Sequence, residues 1–247
     1  MCGIVGLYQN KGFVDPENLV YAAQTLTHRG PDNSDKFVDR SFGMAHTRLS
    51  IIDLSGGDQP LFARNDELVL IANGEIYNFI ELRQYFEKRG HRFITNSDSE
   101  VILHAYIAFG KDFLKVLNGM FAFALYDKAR QRLILARDRL GIKPLFMSHL
   151  ADGVAFASEL KALLCLNPDT PTINPVGLIE YLQNQFSSER KTVLSGYERI
   201  LPGEAVCIEK GILKDRWPYW SANKVKTVDI DFESALEEFD QLIETVM

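Results

Sequence analysis

Cys2 follows Met1 directly and precedes Gly3. A Met followed by a small residue is the context in which the initiator is removed, and its removal would leave Cys2 with a free α-amine. Such an amine has a reference pKa of about 7.7–8.0, against about 10.4 for a lysine side chain. Near neutral pH it can be unprotonated and take the proton of its own thiol. Nucleophile and base then sit on one residue, the N-terminal form of the nucleophile–base pair. Taken alone, a Cys at this position reads more readily as a small buried residue. Asn73-Gly74, within Asn73-Gly74-Glu75-Ile76-Tyr77-Asn78, places a side-chain amide beside a backbone N–H. That pair suits an oxyanion hole, although Asn-Gly by local sequence favours a hairpin turn.

These residues need elements to hold them. Ile4–Tyr8 is an apolar strand, and Gly3 and Gly6 in it leave room for close approach. Pro16 to Thr27 has helical apolar spacing at Leu19, Ala22, Ala23 and Leu26, and His28-Arg29-Gly30-Pro31-Asp32 breaks it. Leu68–Ala72 fits a strand covered on both faces, with Asn73 just past its end. Glu81 to Arg89 reads as a helix capped at Gly90. Ser97-Asp98-Ser99-Glu100 has the form of a capping box ahead of a helix over Val101–Phe109. Phe121–Tyr126 with Leu133–Ala136, and Ala205–Glu209 with Ile212–Arg216, read as hairpins, and Val154–Ser158 as a further strand. Short strands with two or three helices between them thus account for the chain up to about Trp220. Beyond it, Phe232, Ala235, Leu236, Phe239, Leu242, Ile243 and Val246 form a helical apolar stripe that runs to the end without a cap. The expectation is that a following domain, or a partner, covers it.

The 247 residues are 46% hydrophobic, enough for a large core. The net charge of −6 and the absence of a basic, aromatic-rich stretch argue against a nucleic-acid surface. No basic region precedes the short apolar run at the start, so a secretory signal is not expected. Three widely spaced cysteines, Cys2, Cys165 and Cys207, fit neither a disulfide framework nor a zinc site. A cytoplasmic protein is the expectation.

The stretches MCGIVG, HRGPD, AHTRLSIIDLSGGDQPL, NGEIYN, SDSEVI, GMFAFALYD, RDRLGIKPLF and FASELKAL, in that order over residues 1 to about 165, carry a resemblance. The chain resembles the glutamine amidotransferase domain of the asparagine synthetase family, the class II or N-terminal-nucleophile type. The resemblance implies an α+β fold, a four-layer α/β/β/α sandwich of two antiparallel sheets. It implies such a domain over 1–220, followed by a linker and the first helix of a C-terminal synthetase domain over 221–247. It also implies hydrolysis of L-glutamine to glutamate and ammonia through a Cys2 thioester. Asn73 and Gly74 would form the oxyanion hole. Arg48 would pair with the α-carboxylate of glutamine and Asp98 would hold the α-ammonium. Glu75 and the backbone around Leu49 and Ile51 would complete the pocket. Outside this context Arg48 reads as a strand-end charge and Asp98 as a first-turn helix acid. The glutaminase step would need no cofactor, with ATP and Mg serving only the synthetase domain. The partners implied are L-glutamine, that domain and a second copy in a homodimer, with neither nucleic acid nor membrane.

One departure from the family pattern is Asp35, where a Gly commonly follows HRGPD. Ser55-Gly56-Gly57-Asp58 imitates a pyrophosphate loop but is read as a turn near the glutamine pocket. Arg137-Asp138-Arg139-Leu140-Gly141-Ile142-Lys143-Pro144 is read as a connection with internal salt bridges rather than a phosphate site. Competing readings are a domain that binds without turnover, an amidotransferase half serving another carboxylate acceptor, and an N-terminal-nucleophile peptidase. A pocket for a free amino acid counts against the last.

Overall fold

The computed structural model describes all residues except Ser55, Pro168, Ser188 and Met247. In chain order the elements are β1 (Gly3–Gln9), α1 (Pro16–Gln24), β2 (Asn33–Asp39), β3 (Phe42–Arg48), β4 (Leu61–Ala63) and β5 (Leu68–Ile76). Then follow α2 (Phe79–Glu87), α3 (Glu100–Phe109), β6 (Gly119–Asp127), β7 (Arg132–Arg137), β8 (Phe146–Leu150) and β9 (Gly153–Ala157). The last are α4 (Leu160–Leu166), α5 (Pro175–Asn184), β10 (Tyr197–Arg199), β11 (Glu204–Glu209), β12 (Ile212–Pro218) and α6 (Phe232–Val246). Two six-stranded sheets form, ordered β10-β8-β9-β1-β3-β2 and β12-β11-β7-β6-β5-β4, with every strand pairing antiparallel.

Three apolar clusters separate four layers, as an α/β/β/α sandwich requires. Between the sheets Ile4, Tyr8, Phe42 and Met44 meet Val69, Ile71, Ala124, Leu135 and Val206. Val5, Leu7 and Ala45 on the other face of the first sheet pack against Leu19 and Ala22 of α1 and Leu163 of α4. Leu70, Ala72 and Phe123 of the second sheet pack against Phe86 of α2 and Val101, Ile102 and Ala105 of α3. Strands covered on both faces have no polar alternation, which is why β1 and the start of β5 read as continuous apolar runs.

Helix ends follow local chemistry in places and depart from expectation in others. Asp15 caps α1 by accepting from the Glu17 N–H, with Pro16 opening the helix. Gly90, at φ 86°, ends the α2 segment as expected, and the His91 N–H returns to the Phe86 carbonyl. The capping box does not form. Glu100 accepts instead from the N–H groups of Ile94 and Thr95, fastening the loop ahead of α3. Helices α4 and α5 went unread in the sequence, although Asn174 and Pro175 give α5 a side-chain cap and a Pro start. The terminal stripe does form a helix, α6, and none of its residues is buried; Met247 lies outside the described residues. Among the described residues no helix is long and apolar enough to cross a membrane.

Asn73-Gly74 is not a turn. β5 runs unbroken through it to Ile76, with Asn73 opposite Ala122 and Gly74 opposite Phe121 of β6. A Cβ at position 74 would stand 2.1 Å from the Met120 carbonyl oxygen. Glycine is there for the close approach of β6, not for a reversal of the chain.

Candidate active site

Side-chain alternation brings the site together. On β5, Val69 and Ile71 face the other sheet, so Asn73 and Glu75 continue that face. On β3, Phe42 and Met44 face inward, and His46 and Arg48 follow. Ile4 faces inward on β1 and pairs with His46, so Cys2 extends the same face next to Arg48. The inter-sheet faces of three strands thus converge at one end of the sandwich. Cys2, Arg48, Leu49, Ile51, Gly74, Glu75 and Asp98 line a single cleft there. Of the eight predicted residues only Asn73 is not in its wall. It lies beneath, 1% exposed, and its Nδ2 has no hydrogen-bond partner.

An unsatisfied buried donor costs about 1–3 kcal/mol, and Asn73 carries that cost next to Gly74 of the cleft wall. The Gly74 N–H faces away from β6. Tyr77 donates to the Asn118 carbonyl, and Asp138 donates to the Phe121 carbonyl on the β7 side. These fix the ladder so that odd-numbered residues of β5 bond β6 and even-numbered ones face the opposite edge. β4 covers that edge only as far as Leu70. Beyond it Ala72 and Ile76 meet side chains, Ala72 donating to Gln59 Oε1 and Ile76 to Asp98 Oδ2. Gly74 lies between them on the uncovered stretch.

Cys2 Sγ accepts from the Leu49 N–H at 3.4 Å and donates to the Leu49 carbonyl at 3.6 Å. Burial raises its pKa above the ordinary thiol value, against the Leu49 N–H and the positive charges of the N-terminus, Arg48 and Lys143. The side chain at rest is therefore a thiol, which needs a base. Arg29 donates from Nε to the Cys2 carbonyl and from Nη1 to Glu159, while Ser158 Oγ accepts from the Ile4 N–H. These hold the start of the chain in place, and Met1 remains about half exposed.

Arg48 is engaged. Its Nη1 donates to Asp58 at 2.6 Å, and its Nη2 donates to the carbonyls of Asp53 at 2.6 Å and Ile52 at 3.2 Å. Asp58 is itself largely exposed, so an arriving carboxylate can take its place. Burial, with some help from the Glu75 charge, raises the pKa of Asp98, while the N–H groups of Ile76 and Ser99 oppose the shift. Two neighbouring carboxylates suit a cation between them. The turn at Gly56 and Gly57 wraps Asp53 and Gly57 reaches the cleft wall, as expected; Ser55 lies outside the described residues. Asp35 sits exposed on edge strand β2 opposite His46, with no positive φ, so it leaves the strand intact.

The charged run from Arg137 holds the backbone rather than itself. Arg137 donates to the carbonyls of Lys143, Ile200 and Gly141, and Asp138 accepts from Leu140, Ile142 and Lys143. No ion pair forms within it among the described residues, so the expected internal salt bridges are replaced by side-chain bonds to the main chain. The segment is a connection between β7 and β8. A larger cavity, about 360 Å³, lies on the outer face of the second sheet beside Trp217. It contains none of the predicted residues, and its Lys111 and Arg132 are paired with Asp215 and Glu209.

Residues 1–220 match the profile of the family described as Glutamine amidotransferase domain. The chain belongs to that family. Among similar proteins is the glutamine-hydrolyzing asparagine synthetase 3 of Bacillus subtilis (strain 168), 36% identical over 93% of this chain and 38% of its own. Asparagine synthetase 1 of the same organism is 39% identical over 84% of this chain and 33% of its own. Asparagine synthetase B of Escherichia coli (strain K12) is 42% identical over 75% and 33%. This amidotransferase domain thus spans about a third of the length of these relatives. Among solved structures, glutamine phosphoribosylpyrophosphate amidotransferase from B. subtilis superposes with a TM-score of 0.66 at 22% identity, covering 89% of this chain and 49% of that one. That likeness bears on the fold alone.

Proposed function

We propose that the chain hydrolyses L-glutamine to glutamate and ammonia, with Cys2 as the nucleophile once Met1 is removed. The observation that carries this reading is the orphaned Asn73 amide beside a cleft that holds a thiol, a guanidinium and two carboxylates. The α-carboxylate of glutamine displaces Asp58 from Arg48, and its α-ammonium lies against Asp98 with Glu75 nearby. Leu49 and Ile51 close the pocket. The Cys2 thiol gives its proton to its own α-amine and its sulfur adds to the side-chain carboxamide carbon. Asn73 Nδ2 and the Gly74 N–H receive the oxyanion. The α-ammonium then returns the proton to the departing nitrogen, ammonia leaves, and a thioester remains. Water attacks the thioester, releasing glutamate and regenerating the thiol. None of these steps uses a cofactor.

The names of the relatives support asparagine formation from aspartate as the destination of the ammonia. We assign that step, with its ATP and Mg, to a synthetase part such as the greater length of the relatives leaves room for. A cytoplasmic location and a homodimer complete the proposal. Hydroxylamine tests the covalent step, because it intercepts a thioester. With glutamine present, γ-glutamyl hydroxamate should form at the expense of glutamate, and its absence during turnover would sink the thioester.

A further inference from the structure

We propose that Gln59 and His46 are positioning residues that set the oxyanion hole by gripping the backbone of Ala72 from the open edge of β5. The inference rests on the glutaminase reading above. β4 stops opposing β5 at Leu70, so the stretch that presents Asn73 and Gly74 lacks a neighbouring strand on one side. A strand edge without a partner leaves its N–H and C=O groups unpaired. Here two side chains take the place of the missing strand. Gln59 Oε1 accepts from the Ala72 N–H at 2.6 Å, and the His46 ring donates from Nε2 to the Ala72 carbonyl at 3.1 Å. Gln59 is 9% exposed and His46 1%. Both Ala72 groups on that edge are thereby fixed one residue before Asn73, and Asp98 fixes the Ile76 N–H two residues after Gly74. The position between the two anchors is the one left for an oxyanion.

The grip also joins the two ends of the substrate site. His46 stands on β3 two residues before Arg48 and on the same face. Gln59 follows Asp58, which holds Arg48. The carboxylate end of the pocket and the amide end therefore share a mechanical link across the sandwich. Burial lowers the His46 pKa to about 4, so at neutral pH the ring is uncharged. Its bond to a carbonyl then places its one proton on Nε2.

Loss of either grip should misplace donors that matter only once the oxyanion forms, lowering kcat and sparing KM. The experiment compares Gln59→Leu, which has no acceptor, with Gln59→Glu, which keeps one, and His46→Leu with His46→Gln, which keeps a donor. Each is made with and without Asn73→Ala, with glutamate release and thermal unfolding followed on the chain lacking Met1. The expected result is a fall in kcat of about tenfold to about a hundredfold for both Leu variants, with KM within about twofold. Recovery is expected in the Glu and Gln variants, and the loss should be smaller in the Asn73→Ala background, where only the Gly74 N–H is left to misplace. Unchanged kcat in both folded Leu variants, or the same fold-loss with and without the Asn73 amide, would overturn the proposal. Where one Leu variant fails to fold, the other decides. Absence of turnover in the unsubstituted chain would instead sink the glutaminase reading itself.

Discussion

A thiol whose pKa is raised by burial, as at Cys2, cannot rely on ionisation to attack at neutral pH. The rate should therefore follow the base. With Met1 removed, kcat/KM should rise with pH as the α-amine loses its proton, near its reference pKa of about 7.7–8.0, and a chain retaining Met1 should show no such limb. A pH–rate profile on the two forms checks this. At Asn73 the orphaned amide predicts a fall in kcat of about 10²–10³ in Asn73→Ala, with KM little changed. Asp98→Asn should act in the opposite sense, raising KM by about tenfold or more because a charged partner of the substrate is lost. Steady-state kinetics on the two variants separate these effects. Arg48, Asp98 and Cys2 each have a bland reading by residue type, and only the joined motifs of the resemblance single them out for the one cleft they line. The arrival of Asp58 on Arg48 was not, because it depends on how the turn after Ile52 folds back.

The elements explain what local sequence could not give. Asn73-Gly74 reads as a turn because both residues favour one, yet pairing with β6 on one side and the grip on Ala72 on the other hold it extended. The shortness of β4, which leaves that edge open, has no signature in the residues themselves. The capping-box motif failed for a related reason, since Glu100 found closer backbone donors in its own loop. The ring that braces β3 against β5 also has a thermodynamic consequence. His46 has a pKa of about 4 when folded, against 6.5 as the reference. The unfolded chain thus binds the extra proton first as pH falls. Its contribution is fully present above about pH 6.5 and is lost as pH drops through about 4, amounting to about 3 kcal/mol. Denaturant unfolding between pH 7 and 4 should show this loss, and His46→Gln should flatten it.

At the scale of the whole molecule, strand and hairpin patterns show individual elements, and the two-sheet sandwich follows only from the family resemblance. Two helices have weak sequence signals, because α4 is only seven residues long and α5 buries only Gly177 and so carries no apolar core stripe. The chain covers about a third of the asparagine synthetases it resembles, and α6 buries none of its residues. Its removal should therefore leave both the unfolding midpoint and glutamine turnover unchanged, which calorimetry and assay of a chain ending at Asp231 would check. Hydrolysis here depends on one nucleophile. Its most direct test is release of glutamate and ammonia from glutamine by the chain, with intact mass establishing the loss of Met1, beside Cys2→Ala. Turnover in the first and none in the second is the predicted result. No release from the Met1-free chain, or equal release from Cys2→Ala, would contradict it.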